Sequence, residues 1–243
     1  MRVKNLIVIY VFISVGLRAL AAEDAEPTGK IYPLGLGLYG DMQLWTEYDS
    51  VYGINLSLID SPRKEVRGLN VSLGVASCEM FYGVSIGLLT SGGRDGYGIT
   101  CGMLGSGAEG YLVGGSIGLV NFYGGGGLES FGAQVGAVNI VMFGSFSGCQ
   151  LGLLYSYTGW MTGMQTGLLT GADGLCGVAI GGVTGTGISY GLQIGAVNVA
   201  GELHGLQVGF VNYAGTGCGL QIGLVNIFKE AAVPYLPAIN FHF

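Results

Sequence analysis

Apolar and small or polar residues alternate along this chain in repeated packets. YGLQIGAVN (190–198), HGLQVGFVN (204–212) and CGLQIGLVN (218–226) are near copies of one another. Looser copies run upstream through CGVAIGGVT, TGMQTGLLT, SGCQLGLLY, FGAQVGAVN and VGGSIGLVN. The earliest are YGITCGMLG, YGVSIGLLT, RGLNVSLGV and YGINLSLID. Their leading glycines are Gly53, Gly68, Gly83, Gly98, Gly114, Gly132, Gly148, Gly163, Gly177, Gly191, Gly205 and Gly219, which makes 12 units spaced 14–18 residues apart. With the leading Gly as position 1, positions 2, 4 and 6 are mostly aliphatic. Position 3 drifts from Asn55 and Asn70 through Ser85 and Thr100 to Gln134, Gln150, Gln165, Gln193, Gln207 and Gln221. Position 5 is Gly except at Ser57 and Ser72, and position 8 is often Asn, as at Asn121, Asn139, Asn198, Asn212 and Asn226. Period-two alternation predicts a β-strand with an oily face and a thin polar face. Helical spacing would mix the two sets.

The connectors SPRKE, SGGRDG, GSGAEG, GADG, AGE and AGTG carry turn residues. Charge follows the same division. No Lys or Arg occurs between Arg94 and Lys229, and Asp95, Glu109, Glu129, Asp173 and Glu202 all sit in connectors. The segment IYPLGLGLYGD (31–41) alternates as well, and so does the ending VPYLPAINFHF, which closes on Phe243.

Two all-β architectures accommodate such strands. The first is an antiparallel up-and-down β-barrel of about 12–14 short strands built from the 14–18-residue repeats. A spanning strand of ~9–11 residues leaves 4–5 residues of each unit for a hairpin turn. The oily positions would face outer-membrane lipid, and Gln, Ser and Gly would line the interior. Tyr52, Tyr82, Tyr97, Phe131 and Tyr190, at position 0, would form an interfacial girdle. The C-terminal strand would present Phe243 to the barrel-assembly machinery and could pair with 31–41. The alternative is a β-solenoid in which each unit is one coil, like positions stack in ladders, and the oily face fills a dry core. The absence of any two-strand alternation in connector type favours the solenoid; the variable unit length and the absence of a polar C-terminal cap favour the barrel. The expectation from sequence is the barrel.

The tandem GLQIGLVN units, the preceding VYGINLSLI and the closing Pro234, Leu236, Pro237, Asn240 and Phe243 resemble bacterial exported surface-repeat proteins, over about 51–243. The resemblance implies an envelope-associated protein of Gram-negative-type bacteria with no assigned activity. Some members look like lipoproteins; this chain departs from them, having no Cys before Cys78.

The N-terminus changes the picture of location. MRVKN, the apolar LIVIYVFISVGL and the small residues Ala19 and Ala21 read as a secretory signal peptide over 1–21. A short linker, 22–30, and a single repeat-built β domain, 31–243, follow. Cleavage removes Arg2, Lys4 and Arg18, leaving six basic residues against 15 acidic ones, a net charge of −9. That balance opposes nucleic-acid binding. Composition adds exclusions: 49 Gly, 5 Pro and 10% charged residues fit neither a helical bundle, nor collagen, nor a disordered tail.

Candidate chemistry is thin. GLGLYG (Gly35, Gly37, Gly40) matches the dinucleotide pattern but lacks the helix that pattern requires. His204 and His242 are the only histidines, and no triad or metal set assembles around them. Cys78, Cys101, Cys149, Cys176 and Cys218 read as small apolar fillers rather than a disulfide framework. Asn55-Leu-Ser and Asn70-Val-Ser match the glycosylation acceptor pattern but fall within strands. Arg63, Lys64 and Arg67 mark a solvated hairpin loop that could serve as a contact site. No catalytic, cofactor-binding or metal-binding residue is assigned, and no cofactor. The expected function is a non-enzymatic outer-membrane surface protein, structural or a weakly selective passive pore. The alternative is a secreted or surface-attached solenoid that binds partners through its Gln/Asn face.

Overall fold

The computed structural model describes residues 29–39, 42–44, 49–60, 62–91, 95–108, 110–124 and 129–243. The signal peptide and most of the linker lie outside the described residues, as does Gly40. The elements are β1 (Ile31–Tyr39), β2 (Met42–Gln43), β3 (Ser50–Asp60), β4 (Glu65–Ser72), β5 (Val75–Ser77), β6 (Met80–Ser91), β7 (Asp95–Ala108), β8 (Tyr111–Tyr123), β9 (Glu129–Phe228) and β10 (Tyr235–His242). β9 is a continuous extended path that carries the repeats from Gly132 onward.

The strand signal is correct and the barrel is not. From β1 and β3 through β8 and β9, successive units pair in parallel, with Gly53 opposite Gly68, then Gly83, Gly98, Gly114 and Gly132. An up-and-down barrel requires antiparallel neighbours. Here each unit returns the chain to its starting direction one layer further on. The fold is a β-solenoid.

The residues beyond position 7 explain the difference. They are not hairpin turns but a second, shorter strand of the same coil. In β7, residues 95–102 pair with 111–118, the ladder breaks at 103–104, and Gly105–Ala108 pair with Val120–Tyr123. β6 bends likewise after Gly87, and Leu89–Ser91 pair with β5. Each coil therefore has a long side, a bend at positions 6–7, a short side, and a connector corner leading to the next coil. A coil adds ~4.8 Å, the spacing of hydrogen-bonded strands.

The leading glycines make this stacking possible. Those from Gly53 to Gly205 all have positive φ, between 124° and 156°. A Cβ at Gly191 would press on the carbonyl of Gly177, and one at Gly205 on that of Gly191. Any L-residue is therefore excluded twice, by backbone conformation and by close approach.

Both ends of the stack change direction. β2 pairs antiparallel with β1, and β10 pairs antiparallel with the last coil, Tyr235 opposite Ile227 through His242 opposite Gly219. β1 pairs with β3, so the two chain-end strands lie at opposite ends of the stack and do not meet. The expected role of β10 in barrel assembly rested on the barrel and loses its basis with it. Pro237 falls at a register shift within β10, and Ala238 follows with φ 67°.

Candidate functional surface

The pleat decides which face turns inward, and it is the polar one. Gln134, Gln150, Gln165, Gln193, Gln207 and Gln221 are buried at position 3, and Asn121, Asn139, Asn198, Asn212 and Asn226 at position 8. Gln150 Nε2 donates to Gln134 Oε1 (2.8 Å) and Gln165 Nε2 to Gln150 Oε1 (3.0 Å). Gln207 donates to Gln193 (2.7 Å) and Gln221 to Gln207 (2.8 Å). A second N–H crosses the coil from Gln165, Gln207 and Gln221, to the carbonyls of Gly171, Tyr213 and Ile227, each at 3.1 Å. The Gln column thus bonds coil to coil and ties the long side to the short side.

The Asn column works the same way. Asn198 Nδ2 donates to Asn212 Oδ1 (2.7 Å) and to the Val208 carbonyl (2.9 Å). Asn212 repeats the pattern with Asn226 and the Ile222 carbonyl. Burying so many amides is tolerable because each bond replaces one made to water. The position-3 column that carries Gln further on begins at its N-terminal end as Asn55 to Asn70 (2.9 Å) and Asn70 to Ser85 (3.4 Å).

Apolar columns fill the remaining interior at the connector end of each coil. One cluster includes Leu112, Tyr123, Val141, Phe146, Met161 and Leu175; a second contains Leu203 and Phe228; a third is Val66, Cys78 and Phe81. With this packing the coil interior is filled by side chains, and the Gln/Asn face is buried within it rather than presented to solvent.

The outer surface carries the aliphatic set. Ile99, Ile117, Leu151 and Ile222 project outward from the long side, and Val120, Leu154, Leu169 and Val225 from the start of the short side. The side chains at the position-6 bend protrude most: Leu73, Met103, Leu153, Leu168, Phe210 and Leu224 are 59–74% exposed. Soluble monomers rarely leave contiguous apolar area of this kind uncovered.

The candidate residues read from sequence are dispersed. His204 lies outside, stacked on Tyr190 (4.8 Å between centroids), with Nε2 2.7 Å from Glu202. His242 tilts against Phe228 on β10. Gly35 and Gly37 lie within β1, not at a strand–helix turn. Asn55 and Asn70 are buried in the ladder, which withholds both from glycosylation in the folded chain.

The basic segment is not a solvated hairpin. Arg63 is buried, with Nε 3.4 Å from Asn55 Oδ1, and burial lowers its pKa against the opposing pull of Asp49. Arg67 is in β4, between the rings of Tyr52 (4.7 Å) and Tyr82 (5.0 Å), and bonds Glu65 at 2.7 Å. The bond to Glu65 raises its pKa. The cysteines divide. Cys78 is buried, its thiol pushed up to about 12 by desolvation, while Cys176 and Cys218 are exposed. The filler role therefore suits Cys78 and not those two. No group of His, Cys, Asp and Glu suited to a metal ion occurs among the described residues.

What sequence reasoning missed is the protruding bend. Position 6 reads as one more oily strand position; its signal was the second aliphatic residue at position 7, which breaks the alternation.

No family model matches the chain, and neither a curated protein nor a solved structure matches it.

Proposed function

We propose that this protein is an exported, non-enzymatic β-solenoid scaffold of the bacterial envelope that works by presenting its outer aliphatic surface to an apolar partner. The observation that carries this reading is the inversion of the usual arrangement. The hydrogen-bonding side chains are spent inside, coil to coil, and the outside offers aliphatic columns in register. Enzymes concentrate acid–base or nucleophilic groups in a concave site. Among the described residues the one His–carboxylate pair, His204 and Glu202, is partly exposed at a connector and not in a concave site. Repeat stacks that bind partners do so through extended surfaces built by like positions of successive units.

The signal-peptide pattern and the resemblance to exported surface-repeat proteins support the location. Fractionation of a Gram-negative cell expressing the full chain tests both parts. The expected product is in the envelope fraction, and its gel mobility is insensitive to heating in detergent. A cytosolic product overturns the location; a heat-dependent mobility shift of the kind folded barrels give overturns the solenoid.

A further inference from the structure

The two corners of each coil are chemically opposite. One is the position-6 bend, with Leu73, Met103, Leu153, Leu168, Phe210 and Leu224. The other is the connector corner, where the acidic side chains Glu79, Glu129, Asp173 and Glu202 lie. Because the coils stack in register, these become two edges along the stack, one oily and one acidic. The oily edge thins at Ala137 and over two successive coils at Gly182 and Ala196, and resumes at Phe210 and Leu224.

We propose that the oily edge enters the hydrocarbon layer of an electrically neutral lipid bilayer, with the acidic edge left in water. This inference rests on the scaffold reading above and names its partner. Three observations favour lipid over a second protein. The edge is convex, and apolar side chains flank it on both sides, Leu151 on one and Leu154 on the other. A second copy would bring another convex edge against it and leave the flanks wet, whereas fluid acyl chains close around both. Among the described residues from Glu79 to Glu202, the charged side chains are collected at the far corner, the segregation that holds an interfacial amphipathic element at one depth. No Lys or Arg lies between Arg94 and Lys229, so nothing along that stretch attracts an anionic headgroup.

Two positions of a single coil make the test. In the full chain, with Cys78 replaced by Ala and the other four cysteines by Ser, an environment-sensitive fluorophore is attached at Leu168→Cys or at Asp173→Cys. The first reports the bend and the second the connector corner. Phosphatidylcholine vesicles carrying a spin-labelled acyl chain are added. The expected result is a blue shift at the bend with quenching several-fold greater than at the connector. A leader that tethers the chain to the vesicle would not by itself place residue 168 among acyl chains.

Water-like emission from both labels in the presence of vesicles overturns the proposal and leaves the scaffold reading standing. A bend label shielded without lipid, in a particle of twice the mass, makes the occupant a second copy and also overturns it. A label order reversed between the corners would overturn both, because the acidic corner and not the aliphatic surface would then meet the apolar partner. If the cysteine-free chain does not fold by circular dichroism, flotation with the native cysteines replaces it. The triple variant Leu153→Gln, Leu168→Gln, Leu224→Gln should then float several-fold less than the parent, and equal flotation overturns the proposal.

Discussion

Gln207 shows at one residue how the interior is held. Its amide donates to Gln193 and to the Tyr213 carbonyl and accepts from Gln221. Gln207→Leu keeps the bulk but strands the Gln193 oxygen and a Gln221 N–H in a dry interior. A buried group left without a partner costs ~1–3 kcal/mol, so urea unfolding should show a loss of about that size or larger; an unchanged midpoint would refute the ladder. Gly191→Ala should also destabilise, by more than ~1 kcal/mol, because its φ of 143° is closed to alanine. The cysteines provide a third test. In folded protein at pH 8, maleimide should modify Cys176 and Cys218 while Cys78 reacts only after unfolding. The Cys78 thiol ionises at about 12 in the fold, against 9.0 for a free thiol. Its contribution to stability is therefore complete below pH 9 and declines as pH rises toward 12. The choice of Gly and Gln at these positions was legible in sequence as a pattern. Their inward direction was not, because alternation assigns residues to two faces without saying which is covered.

At the scale of the element, the unit is a coil of two strands rather than a strand and a turn. Deletion of Gly205–Cys218 removes one whole repeat and brings Gly191 against Gly219, keeping every column in parity. That deletion should fold, with a β circular-dichroism spectrum and a lower midpoint. Loss of all cooperative unfolding would contradict stacking. A single-residue insertion within the long side should do more damage than the 14-residue deletion, since it turns oily positions inward over that coil. β10 is the other element with a distinct task. It lies antiparallel on the last coil, with Pro237 lacking an N–H and Ala238 twisting the edge, features that blunt a strand edge against further pairing. Removal of 234–243 should expose the ladder of the last coil and produce concentration-dependent association by light scattering. A strictly monomeric truncated protein would remove this assignment. The sequence shows β10 as an alternating strand with a terminal aromatic, a description shared by a barrel closure and a solenoid cap.

At the scale of the molecule, stability should be distributed along the stack, because each coil touches only its neighbours. Hydrogen exchange should be slowest in the Gln and Asn columns from Gln193 to Asn226 and faster toward the N-terminal coils of β3, β4, β6 and β7, where position 3 is Asn55, Asn70, Ser85 and Thr100 instead of Gln. By itself the sequence determined that the chain is all-β, that it is built from 14–18-residue units, and that each strand has one oily and one thin polar face. Those are consequences of side-chain alternation, which is local. Only the tertiary structure decided that neighbours run parallel, that the amides face inward, and that the oily edge stands opposite the acidic connectors. The reason is that barrel and solenoid place the same alternation on the same strand. They differ only in where the chain goes after position 7, and there Val and Asn side chains suit a bend with a second strand as well as they suit the end of a first.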